Sequence, residues 1–139
     1  MKHSEITGQY RLILDKLMEK RDLETVLFLR IMMETGLRSR EAYALKPEYI
    51  RNRRIDLPRR FQKNNGKDEV FAKIPCISRK TERIAELVAG NRNRYFTKSR
   101  NYYLTRIKKF RTDPRFSALI LRDFRRKIIW WIYMDNRNR

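Results

Sequence analysis

The residues best equipped for chemistry in this chain are its cations. Lysine and arginine number 35 against 16 aspartates and glutamates, a formal net charge of +19 over 139 residues. Guanidinium and ammonium groups in such excess bind phosphate and other polyanions. Most other catalytic groups are nearly missing. The sole histidine is His3, read here as part of a frayed N-terminus, and the sole cysteine is Cys76, read as an inert buried residue. Ser-His and Cys-His catalysis, histidine zinc sites and thiolate metal clusters therefore lack raw material. Neither a metal nor any other cofactor is expected.

The excess charge is unevenly spread. Residues 1–90 carry 20 Lys+Arg and 13 Asp+Glu, whereas residues 91–139 carry 15 and 3. The basic end also holds Tyr95, Phe96, Tyr102, Tyr103, Phe110, Phe116, Phe124, Trp130 and Trp131. Charge interleaved with aromatics predicts a packed basic surface, not a solvated tail. The length suits one domain over residues 1–139, with a frayed end at about 135–139 and no linker. No stretch reaches a membrane-spanning length, and the first residues lack a signal-peptide core. An intracellular protein is expected, cytoplasmic or nucleoid-associated, with DNA and not a membrane as its partner.

The elements that must position these groups read as follows. Ser4 and Glu5 open a helix carrying Tyr10, Leu14, Leu17 and Met18 on one side. Asp22 caps a second that is apolar nearly all round, from Leu23 to Met33, with Arg30 its only interior charge, and Gly36 stops it. A short helix spans Ser39 to Leu45, and Pro47 breaks the pattern. Arg54–Phe61 and Val70–Ile77 read as two strands around the turn Asn64-Asn65-Gly66-Lys67-Asp68. Pro58 puts the first strand at an edge or a bulge. Ser78 caps a helix with Ile84, Leu87 and Val88 inward, ended by Gly90. Ser99–Phe110 follows with Tyr103, Ile107 and Phe110 inward. A last helix from Leu121 to Met134 turns Phe124, Ile128, Trp131 and Ile132 inward and Arg122, Arg125, Arg126 and Lys127 outward. The fold class is α+β, mostly α-helical, with a small antiparallel β-hairpin.

Two motifs stand in a telling order. Thr35-Gly36-Leu37-Arg38-Ser39-Arg40-Glu41 with Ala44-Leu45 resembles the first-arginine box of the tyrosine recombinases, or phage integrases. Leu121-Arg122-Asp123-Phe124-Arg125-Arg126 resembles that family's His-x-x-Arg-His box. Between them, Gly66-Lys67 before Ile74-Pro75 is similar to the family's hairpin. The likeness covers about residues 20 to 132. It implies a single tyrosine-recombinase-like catalytic domain, from a phage or mobile element.

It also implies roles. Arg38 and Arg125 would bind the non-bridging phosphate oxygens. Lys67, with Lys63 as its rival, would protonate the leaving oxygen. Arg122 and Arg126 stand where the family has histidines, which keeps a phosphate contact and loses a group titrating near neutrality. The family's nucleophilic tyrosine lies a few tens of residues past the second box. Here the one tyrosine after that box is Tyr133, eight positions beyond Arg125 and so roughly 12 Å along a helix. The family's third box and separate clamping domain have no counterpart in the sequence.

The expected function is therefore DNA binding by a grip on the phosphate backbone, without independent strand cleavage, with a polymerase or recombinase as the protein it would recruit. Arg53-Arg54 and Arg59-Arg60 would add phosphate contacts. Two alternatives stay open. One is a shortened recombinase using Tyr133 or a tyrosine supplied in trans. The other is a module for single-stranded DNA or RNA, in which Tyr102, Tyr103, Trp130 and Trp131 stack on bases instead of filling the core.

Overall fold

A computed structural model describes the backbone of residues 1–61 and 75–137, and the side chains of those residues except Arg59 and 129–137. It is mostly helical, with one two-stranded antiparallel sheet. Helix α1 (His3–Glu19) buries Ile6, Ile13 and Leu17, spaced seven and four apart on one face. Its first turn is closed by Glu5, which accepts from the Lys2 backbone N–H at 2.8 Å. Helix α2 (Leu23–Thr35) starts where the Asp22 carboxylate takes the Thr25 backbone N–H at 3.2 Å and the Thr25 hydroxyl at 2.7 Å. Val26, Leu27, Phe28, Leu29, Ile31 and Met32 are buried around its whole circumference. It accordingly packs against α1, α3 (Ser39–Tyr43), α4 (Arg79–Ala89), α5 (Arg100–Phe110) and α6 (Ala118–Arg137).

Serine caps repeat through the second half. The Ser78 hydroxyl accepts from the Thr81 N–H and the Ser99 hydroxyl from the Tyr102 N–H, each at 3.2 Å, so α4 and α5 begin where the sequence places them. Tyr103 closes the core between α5 and α2, with its ring 5.5 Å from that of Phe28 and 5.3 Å from that of Phe96. Its hydroxyl donates to Glu24 at 2.7 Å and accepts the Lys98 N–H at 3.0 Å. The Thr97 backbone N–H also reaches Glu24, at 2.7 Å. These bonds moor the irregular segment before α5 to the first turn of α2.

Several expectations are corrected. The first strand is Arg54–Ile55 alone, β2, and it pairs with β1 (Ile50–Arg51), which sequence reasoning left out. Pro58 ends the extended run, because the Phe61 N–H folds back onto its carbonyl in a 3-10 turn over Arg59–Phe61. The expected second strand survives at its described end, where Cys76 bridges Arg54. The turn at 64–68 and residues up to 74 lie outside the described residues. Cys76 is exposed, not buried. Leu87 is 71% exposed, and Thr81, Ala85 and Ala89 join Ile84 and Val88 on the inner face of α4. Met18 is 47% exposed, turned away from the α1 stripe. The last helix begins at Ala118, three residues early, with the Ser117 hydroxyl accepting the Ile120 N–H, and it runs to Arg137 through part of the expected frayed end. His3 is the first residue of α1, its ring edge-on to Phe124 at 5.0 Å. Arg30 is not the one interior charge of α2, since the equally enclosed Glu34 carboxylate pairs with it.

Candidate nucleic-acid interface

The site begins at the end of α2. Thr35 donates its hydroxyl to the Ile31 carbonyl at 2.6 Å and accepts the Leu37 N–H at 3.1 Å, so one side chain caps the helix and sets the turn that follows. Gly36 takes φ +73°, the left-handed conformation in which glycine has no Cβ penalty. Space demands glycine there as well. A Cβ at Gly36 would stand 3.1 Å from Arg126 Cγ and 3.6 Å from Arg125 Cγ. The two sequence motifs, about ninety residues apart, thus meet at one point.

Arg125 joins them with a bond. Its Nε–H donates to the Glu34 carbonyl at 3.0 Å, taking one of the acceptors that a helix end leaves unpaired. Anchored at Nε, the guanidinium keeps its four terminal N–H groups without an acceptor among the described residues. Arg38 is two residues past Gly36, within about 7 Å of chain. Its backbone N–H donates to Glu41 at 2.9 Å and opens α3, while its half-buried guanidinium has no acceptor among the described residues.

Arg122 departs from expectation. Its side chain is 13% exposed, so it does not lie on an outer face with Lys127. Leu121 and Phe124, buried on either side, draw this turn of α6 inward, and the aliphatic stem of Arg122 follows. Nη1 makes one long contact, 3.4 Å, to Asp123, and the buried Nε has no hydrogen-bond partner among the described residues. An enclosed guanidinium N–H without an acceptor is costly, and an anion relieves that cost. Arg125 and Arg126 are half-buried, and Lys127 is exposed.

The remaining expected residues divide. Arg60 is exposed, with its guanidinium 4.8 Å from the Phe61 ring centroid. Lys63 and Lys67 lie outside the described residues, as do the side chains of Arg59, Trp130, Trp131 and Tyr133. The backbone of residue 133 belongs to α6, two turns beyond Arg125. Of the two neighbouring tyrosines, Tyr103 is core and Tyr102 is 39% exposed.

Glu34 is the residue that sequence reasoning passed over. Its carboxylate accepts the Ser78 N–H at 2.7 Å and the Thr81 hydroxyl at 2.6 Å, with Arg30 Nη2 at 3.4 Å. Its carbonyl holds Arg125. One residue therefore fixes both the start of α4 and the orientation of a candidate phosphate ligand. The signal was a carboxylate in the last turn of a helix, where the macrodipole disfavours negative charge and a partner is required.

Several acids elsewhere are paired with cations of their own. Asp22 pairs with Arg106 at 3.0 Å, and Arg115 bridges Glu5 and Asp113 at 2.7 and 2.8 Å. The Arg115 guanidinium holds the Asp113 carboxyl down to about 2. None of these acids reaches the Arg38 or Arg125 guanidinium among the described residues. No group of histidine, cysteine, aspartate and glutamate that could hold a metal occurs among the described residues. No helix among them is long and apolar enough to cross a membrane. No protein-family model, curated protein or solved structure matches this chain.

Proposed function

We propose that this chain binds duplex DNA through its phosphate backbone, on a fold of the tyrosine-recombinase catalytic type. Arg38, Arg122 and Arg125 form the grip, and Lys63, Lys67, Arg59, Arg60 and Arg126 add contacts around it. The observation that carries the reading is the meeting at Gly36. There α6 lies against the end of α2, with Arg125 anchored at Nε and its terminal N–H groups without an acceptor among the described residues. A guanidinium oriented in this way presents a fork matched to two phosphate oxygens. Arg38, arriving from the same turn, supplies a second fork at little conformational cost. No strand cleavage is assigned to the chain, because Tyr133 follows Arg125 by about 12 Å of helical rise.

Binding of this kind is steeply salt-dependent and modest in sequence preference. The test is fluorescence anisotropy on matched duplex and single-stranded DNA over a salt series, with Arg38→Ala beside the wild type. Duplex preference and a large loss in the variant support the grip. Single-strand preference with an indifferent variant overturns it.

A further inference from the structure

The turn between β1 and β2 breaks three local rules at once. Ile50 pairs with Ile55 and Arg51 with Arg54, which leaves Asn52 and Arg53 as a two-residue loop. Their φ values are +52° and +65°, the pattern of a type I′ hairpin turn. Such turns favour Asn-Gly, and here arginine occupies the glycine position in a left-handed conformation that penalises a Cβ. Arg51 and Arg54 stand directly opposite each other, so two like charges share one face of the ribbon with Cβ atoms about 5 Å apart. All three arginines are exposed, and none has an acidic partner among the described residues. The nearest acids in sequence, Glu48 and Asp56, form no ion pair with them.

The fold holds this arrangement firmly. The Ile77 N–H donates to the Arg53 carbonyl at 2.8 Å, and the Ile55 N–H donates to the Pro75 carbonyl at 2.9 Å. Ile55 is buried beneath, so the arginine pair faces away from the core. A self-repelling and well-supported cationic tip is what a polyanion ligand would neutralise.

Geometry selects how that ligand is met. Two residues of strand extend about 7 Å, too little to carry a two-stranded ribbon to the floor of the major groove. The minor groove, about 6 Å wide, excludes a ribbon and admits a single arginine side chain. We propose that Arg53 enters the minor groove of duplex DNA while Arg51 and Arg54 lie on the bordering phosphates. This deepens, and rests on, the reading of the chain as a duplex-DNA binder. The recognised feature is the narrow, strongly negative minor groove of A·T tracts.

The test compares A-tract and G·C duplexes of equal length, by anisotropy, for the wild type, Arg53→Gly, Arg53→Lys and Arg38→Ala. The wild type binds the A-tract about five- to tenfold more tightly. Arg53→Gly abolishes that preference with an unchanged or raised Tm, since glycine accepts the positive φ. Arg53→Lys keeps the charge and the strain but loses most of the preference, because a hydrated ammonium enters the narrow groove less readily. A wild type without preference overturns the inference, as does an Arg53→Gly protein that retains it. If Arg53→Gly is indifferent and Arg38→Ala is weak on both duplexes, the groove inference falls and the phosphate grip stands. If Arg38→Ala binds as the wild type and Arg53→Gly loses the preference, the reverse holds. A wild type that binds neither duplex removes both.

Discussion

Arg38→Ala separates a phosphate ligand from a structural arginine. The guanidinium of Arg38 has no acceptor among the described residues, and the bond that opens α3 comes from its backbone N–H, which alanine retains. Folding should therefore lose less than about 0.5 kcal/mol, the range of ordinary surface substitutions. A charge-assisted hydrogen bond to phosphate contributes about 1.5–3 kcal/mol. At 1.4 kcal/mol per decade, its removal weakens duplex binding about 10- to 150-fold. The slope of log affinity against log salt should also fall by about 0.9, one phosphate's share of released counterions. Anisotropy titrations between 50 and 200 mM salt read both quantities, and a circular-dichroism melt reads the first. A Tm lowered by several degrees with unchanged affinity would refute the reasoning and make Arg38 a packing residue of the α2–α3 corner.

Three further outcomes are expected. Gly36→Ala places a Cβ in a left-handed residue and 3.1 Å from Arg126 Cγ, and should cost about 1–2 kcal/mol in urea unfolding and weaken duplex binding by shifting α6. Glu34→Ala strands the Ser78 N–H and the Thr81 hydroxyl, so a loss of about 1–3 kcal/mol is expected in the same assay. Stability should fall on acidification, as thermal melts between pH 6 and pH 2 would record. Burial opposes the charge on Glu24, but the Thr97 N–H and the Tyr103 and Thr97 hydroxyls outweigh it and hold the carboxyl below its ordinary value. Asp113 is held down to about 2 by Arg115. A carboxylate depressed in the folded state stabilises above its unfolded pKa, near 4, and that contribution is lost as pH falls through the folded value. A flat Tm across this range would contradict both networks.

The helices were legible because their signals are local. Asp22, Ser78 and Ser99 cap α2, α4 and α5 through bonds three residues long. The all-round apolar run of α2 announced a buried helix before any partner was known. The β1–β2 turn was hidden because its central residues are Asn-Arg, without the glycine by which such turns are recognised. Leu87 was misplaced because one apolar residue fits either of two adjacent helical stripes, and only the position of α2 decides between them. At the site, the meeting of the two motifs was expected from a resemblance, whereas Glu34 showed only that a carboxylate at a helix C-terminus needs a partner, not which partner it has. Its partners, Ser78 and Thr81, lie more than forty residues away, and no short-range pattern joins them. The burial of Arg122 was missed for a related reason. A run of cations reads as a solvated face until its aliphatic stems find apolar neighbours.

The central place of α2 sets an order on biosynthesis. It leaves the ribosome well before α6, the described element that lies along it most extensively. Helix α1 alone cannot cover a cylinder that is apolar on every side. For the whole interval in which the hairpin, α4 and α5 are being made, part of α2 stays wet and adhesive. At 5–20 residues per second, the 82 residues between the end of α2 and the start of α6 occupy roughly 4–16 s. During that time the nascent chain is a client for holding chaperones, and its strong positive charge makes ribosomal RNA the nearest competitor for its surface.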